Sequence, residues 1–191
     1  MPGALLAVLA LLATQPPQQR LTLEIRTYRG TEDVTDATRV IVHRAGERDQ
    51  PVGQITRAQP TLAVVPGIYD AQAVHERDGR VHDIRWAERL VVMEYPDEAG
   101  HHLEVINFLN GFGALQIRET AGRPPAPAME VALFTADEHA QAAAPPATPG
   151  AYALFVVRAG SYDLLITRGS NLKWHKAVDV PLDRTRLWIV P

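Results

Sequence analysis

Two stretches of the chain carry one pattern, Val65-Pro66-Gly67-Ile68-Tyr69-Asp70 and Arg158-Ala159-Gly160-Ser161-Tyr162-Asp163. Each Gly-x-Tyr-Asp follows an apolar run (Leu62 to Val65, Leu154 to Val157) and opens an alternating segment, so each reads as a tight turn feeding a strand. The repeat extends upstream. Leu23-x-Ile25 returns as Leu115-x-Ile117, 92 residues on, and the segment Val40 to Ala45 returns as Val131 to Ala136, 91 residues on. A period this long excludes a solenoid and predicts two copies of one small domain.

With 191 residues, 46% of them hydrophobic, the chain can bury one or two modest cores. The 19 basic and 22 acidic residues are scattered and form no basic stripe, which argues against a nucleic-acid partner. The absence of cysteine excludes disulfides, thiolate metal sites and a cysteine nucleophile. Ala4 to Ala13 is a ten-residue apolar run followed by Thr14-Gln15-Pro16-Pro17-Gln18-Gln19. It has the length of a signal-peptide core and falls short of the roughly 20 residues of a spanning helix. The expectation is export to the periplasm or beyond, with no membrane span in the mature chain.

Strand signals follow at short intervals. Leu21, Leu23 and Ile25 alternate with Thr22, Glu24 and Arg26, a period of two. Similar runs follow: Arg39 to Arg44, Val52 to Thr56, Thr61 to Val65, Tyr69 to Glu76, Arg80 to Trp86, Arg89 to Met93 and His101 to Phe108. The second copy offers Ala114 to Arg118, Met129 to Thr135, Ala151 to Arg158, Tyr162 to Thr167, Leu172 to Val180 and Thr185 to Val190. The pattern predicts an all-β fold of two tandem antiparallel Greek-key β-sandwich units. Residues 1–19 form the signal-like segment, 20–110 the first repeat and 111–191 the second, divided near Asn110-Gly111-Phe112-Gly113. Ala121 to Ala128 and Ala140 to Gly150, rich in alanine and proline, are expected as surface loops, with Pro145 to Gly150 polyproline-like and mobile.

If Asp78-Gly79 is a two-residue hairpin turn, Arg77 faces Arg80, His75 faces His82, and Tyr69, Ala71 and Ala73 share a face with Ile84 and Trp86. A three-residue loop Gly169-Ser170-Asn171 likewise places Leu172 and Trp174 beside Tyr162, Leu164 and Ile166. Both copies are then expected to bury a tryptophan next to the Tyr strand.

An early alternating strand, a variable loop, Pro66-Gly67-Ile68-Tyr69-Asp70 opening a hairpin and a closing strand together resemble the carboxypeptidase regulatory-like, or transthyretin-like (prealbumin-like), β-sandwich. The second copy, Ala159-Gly160-Ser161-Tyr162-Asp163, departs from that motif at the proline. The resemblance implies a seven-stranded Greek-key sandwich without catalytic residues of its own.

Read for catalysis, the chain holds only two serines, Ser161 and Ser170, and no G-x-S-x-G elbow, phosphate-cradling loop or H-E-x-x-H motif. Gly67, Tyr69, Asp70, Trp86, Gly160, Tyr162, Asp163 and Trp174 read as a structural motif: positive φ at the glycines, inward rings, and aspartates bonded to turn amides. His75 and His82 are a candidate metal pair that needs a third ligand from His101, His102 or Glu104; the competing reading is two polar residues capping the core. No catalytic residue, metal or cofactor is expected. The function read from the sequence is a non-enzymatic exported binding or spacer module at the cell envelope, with an envelope protein or glycan as partner. The alternatives are a metal-assisted hydrolase and a subunit that assembles through edge strands.

Overall fold

The period-two alternation is realised almost everywhere. A computed structural model describes residues 19–94, 100–119, 128–150 and 152–190. The apolar run Ala4 to Ala13 and all but the last residue of the Ala121 to Ala128 loop lie outside the described residues. The first half carries β1 (Leu21–Arg29), β2 (Glu32–Asp33), a 3-10 turn (Thr35–Ala37), β3 (Thr38–Arg44), β4 (Pro51–Ile55), β5 (Thr61–Val64), β6 (Gly67–Arg77), β7 (Arg80–Val92) and β8 (His101–Asn107). The second carries β9 (Phe112–Glu119), β10 (Met129–Thr135), β11 (Glu138–Ala142), β12 (Ala153–Arg158), β13 (Gly160–Arg168), β14 (Asn171–Val180) and β15 (Thr185–Val190).

The two halves share one topology. In the first, β5-β1-β8 form one sheet, with β2 folded onto the end of β1, and β4-β3-β6-β7 form the other. In the second, the orders are β12-β9-β15 and β11-β10-β13-β14. Strand by strand these are the same arrangement. After β4 and β5, the chain returns in β6 to lie beside β3, the Greek-key step, and β13 returns beside β10 in the same way. The fold is therefore all-β, two tandem Greek-key sandwiches.

Among the described residues, pairing is antiparallel with one exception in each unit: β1 runs parallel to β8, and β9 parallel to β15. First and last strands are joined only through the rest of the unit, so no hairpin forces them to oppose each other. An alternating pattern reads the same in either direction, which is why the sequence concealed this.

Each unit has its own core. Leu21, Leu23, Ile25, Val40, Val42, Tyr69, Ala71, Ala73 and Leu90 fill the first. Leu115, Ile117, Val131, Leu133, Phe155, Tyr162, Leu164 and Val178 fill the second. The alternate side chains of β1, β8, β9 and β12 point away from these cores, and the two smaller sheets meet through them. Val105, Ala114 and Val156 pack there, with Tyr28 and Leu154 against them. The turn after β14 crosses closely over β9, where a Cβ on Gly113 would lie 1.9 Å from the Pro181 carbonyl oxygen.

The loop Ala140 to Gly150 is less free than expected. Its first three residues belong to β11, and Ala147 exchanges two backbone hydrogen bonds with Val131, of 2.8 and 2.9 Å. Ala144 and Ala147 pack on the second core. Proline cannot donate to a ladder, but the alanine between prolines can.

Candidate functional site

The repeated Tyr-Asp dipeptide sits at a repeated irregularity. Cross-strand register shifts between Tyr69 and Ala71, and between Tyr162 and Leu164, so Asp70 and Asp163 each face a bulge in the partner strand. One residue of each bulge, Arg89 or Ala177, is left-handed with φ of 55°. Its amide donates to the aspartate, at 2.9 Å from Arg89 to Asp70 Oδ1 and 3.1 Å from Ala177 to Asp163 Oδ1. The other oxygen accepts an amide from a second turn, Gly46 at 3.1 Å or Asp137 at 3.3 Å. The neighbouring tyrosine hydroxyl donates back across its own turn, from Tyr69 to the Val65 carbonyl (2.6 Å) and from Tyr162 to the Arg158 carbonyl (2.7 Å). Gly67 does not have a positive φ; the left-handed glycine of this region is Gly46, at 83°. At Gly67 the tyrosine ring passes 3.4 Å from where a Cβ would stand.

Burial pushes the Asp70 carboxyl up, but the Arg89 and Gly46 amides with the Arg48 cation outweigh it and hold the group below its ordinary range. Asp163 is held well below its ordinary range, first by the Lys176 ammonium at 2.7 Å and then by His139 at 2.6 Å.

The tryptophans face outward, contrary to the inward packing read from the sequence. The Asp78-Gly79 turn pairs Arg77 with Arg80 as expected, but His82 is an extra residue in β7. From there His75 faces Asp83, and Gln72 faces Trp86. One residue of slip carries a side chain to the opposite face. In the second unit the turn has two residues, with Arg168 paired to Asn171, so Trp174 faces Leu165 and leaves the Tyr162 side. Trp86 and Trp174 thus hold equivalent positions on the outer faces. Arg48 lies over the Trp86 ring at 4.3 Å. His139 stacks on Trp174 at 4.4 Å, and Phe134 stands 5.3 Å away. Lys176 Nζ stands 5.3 Å from the centre of the Trp174 ring, so each aspartate shares its cationic partner, Arg48 or Lys176, with a tryptophan face.

The bulge also parts the histidine pair: the two rings are neighbours at 6.0 Å, not directly opposed. Of the suggested third ligands, His101 bonds Glu24, while His102 lies 3.2 Å from Glu104 inside the first unit. Among the described residues no three histidine or acidic side chains are placed to hold a metal ion. His75 and His82 instead line a cleft of about 610 Å³ at one end of the first sandwich, with Arg29, Glu32, Asp33, Asp36, Arg77 and Asp83.

Sequence reasoning missed the group that joins the two units. Glu24 Oε1 accepts from Arg26 (2.8 Å) and from the Tyr152 hydroxyl of the second unit (2.9 Å). Its Oε2 takes His101 Nε2 at 3.0 Å, and Arg118 of the second unit donates to His101 Nδ1 at 2.8 Å. Because an arginine can only donate, Nδ1 is the acceptor and Nε2 carries the proton to Glu24. The His101 hydrogen bond, against the cost of burial and aided by Arg26 and Tyr152, holds the Glu24 carboxyl down to about 2. Arg26 and Arg118 also flank the Tyr152 ring, at 5.5 and 5.3 Å. The polar alternate residues of β1 resembled an ordinary solvated face.

No protein-family model matches the chain, and no curated protein matches it in sequence. Solved structures that the chain resembles include the Bacillus anthracis TIE protein (13% identity, TM-score 0.31, covering 90% of this chain and 34% of that one). A candidate cell adhesion protein from Bacteroides ovatus is 10% identical (TM-score 0.31, 92% of each chain). The pilus adhesin SpaC from Lactobacillus rhamnosus GG is 11% identical (TM-score 0.28, 90% of this chain and 31% of that one). The chain thus spans about a third of the TIE and SpaC chains and nearly all of the Bacteroides one.

Proposed function

We propose that the chain is a non-enzymatic binding and spacing module at the cell envelope, built from two transthyretin-like sandwiches held in one fixed orientation. The observation that carries this reading is the junction. An apolar contact of Val105, Ala114 and Val156 is surrounded by polar links between the units. Besides the Glu24 group these include Thr185 Oγ1 accepting from the Val105 amide (2.8 Å), Arg85 paired with Asp183 (3.0 Å), and Arg184 donating to the Glu88 carbonyl (3.0 Å). A flexible tether would need none of these contacts; a spacer that fixes two surfaces is served by links of this kind. Among the described residues no helix is long and apolar enough to cross a membrane.

Residual dipolar couplings measured on residues 19–191 test the spacing. A single alignment tensor is expected to fit both units, and two different tensors would overturn the reading. Fractionation of the producing cells tests the location, with recovery only from the cytosol as the contrary result.

A further inference from the structure

The end cleft of the first sandwich contains groups that the spacing role leaves unused. His75 is 9% exposed, and its Nδ1 has no hydrogen-bond partner. Asp83 Oδ2 lies 3.6 Å from it, too far for a hydrogen bond and close enough for one multi-donor group to span both. Arg29 Nε approaches the same oxygen only to 3.5 Å and is half exposed, a loose internal counter-ion. On the opposite wall, Asp36 is paired with Arg57. Glu32 and Asp33 have no cationic partner among the described residues, and both are exposed. His82 and Phe108 rings stand 6.0 and 5.7 Å from the His75 ring. With Arg29 and Arg77 as its lining cations against Glu32, Asp33, Asp36 and Asp83, the cleft combines surplus negative charge, an unsatisfied buried nitrogen and the His82 ring.

We propose that this cleft binds the guanidinium or primary ammonium group of an arginine or lysine side chain on a partner polypeptide, with His75 and Asp83 as floor and Glu32 and Asp33 as wall. A planar guanidinium suits it best: it presents several donors to separated acceptors and lies against the imidazole rings. On entry it displaces the Arg29 head from Asp83 and takes over its charge. A compact metal ion fits poorly, since no three ligands converge. The volume, about 610 Å³, also leaves room for the flanking peptide backbone.

This deepens the binding half of the function proposed above and is read independently of the junction. The test uses ¹⁵N-labelled residues 19–191, titrated with N-acetyl-arginine amide, its neutral isostere N-acetyl-citrulline amide, agmatine, and a short arginine-containing peptide. Saturable shifts at His75, His82 and Asp83 are expected with the arginine compounds, none with citrulline, and tightest binding with the peptide. The double variant Glu32→Gln, Asp33→Asn should weaken binding at least fivefold while resonances elsewhere stay in place. A titration that does not saturate, equal binding of citrulline, or unchanged affinity in the variant would overturn the site. Agmatine binding as tightly as the peptide would overturn the polypeptide partner.

Discussion

At the scale of single residues, tyrosine and aspartate divide the work of one turn. The tyrosine fills the core and closes its own loop through the hydroxyl, while the aspartate gathers the amides of two further turns. Removing only the hydroxyl, Tyr69→Phe, should cost about 1 kcal/mol in denaturant unfolding, and Tyr69→Ala about 3 kcal/mol or more through the cavity left behind. Asp70→Ala strands two amides together with the Arg48 cation and should cost about 2 kcal/mol. Because both aspartates are held below their ordinary range in the folded chain, their contribution is complete above the unfolded carboxylate pKa. It is lost as pH falls through the folded values. Melting temperature followed from pH 5 downward should fall for the parent chain and fall less for Asp70→Asn.

Elements depend on where strands slip. Arg89 and Ala177 pay for the bulges with left-handed backbones. Ala177→Gly should therefore raise stability by about 0.5 kcal/mol, the relief of that strain less the greater chain entropy of glycine. Equilibrium unfolding checks it, and a loss of stability would mean that the alanine methyl is needed where it stands. The same bulges set what the sequence disclosed. Strand positions were legible because period-two alternation follows directly from a half-buried sheet, and the duplication was legible from the Gly-x-Tyr-Asp motif. Register was not. His82 is an ordinary residue with no glycine or proline beside it, so nothing announces that it is supernumerary, yet it turns Trp86 outward and moves Asp83 opposite His75. The end cleft was hidden for the same reason. Its histidines were visible, but their setting depended on that one residue and on Glu32 and Asp33, which arrive from β2.

For the whole molecule, Glu24 ties the units together through His101, Arg118 and Tyr152. Its carboxyl titrates at about 2 in the folded chain against an ordinary 4.5. The largest cause of this depression, the His101 hydrogen bond, and Arg26 belong to the first unit, so it stabilises chiefly that unit: the contribution is complete above pH 4.5 and is lost as pH falls from there toward 2. Circular dichroism on acid titration should show the parent chain losing stability in that window and Glu24→Gln losing less. Tyr152→Phe removes the second unit's hydroxyl from Glu24 and should widen the spread of interdomain distances in small-angle scattering; an unchanged profile would remove this hydrogen bond from the junction.

The parallel pairing of β1 with β8, and of β9 with β15, has a mechanical meaning. Tension on such a chain enters each unit at the start of its first strand and leaves at the end of its last. These two strands lie side by side and point the same way, so the pull runs along them and loads their interstrand hydrogen bonds together, in shear, instead of opening them one by one. Both units place the same clamp in the same line of force. A tether pulled from both ends should therefore yield in two separate high-force steps, one per sandwich, with the junction giving way before either.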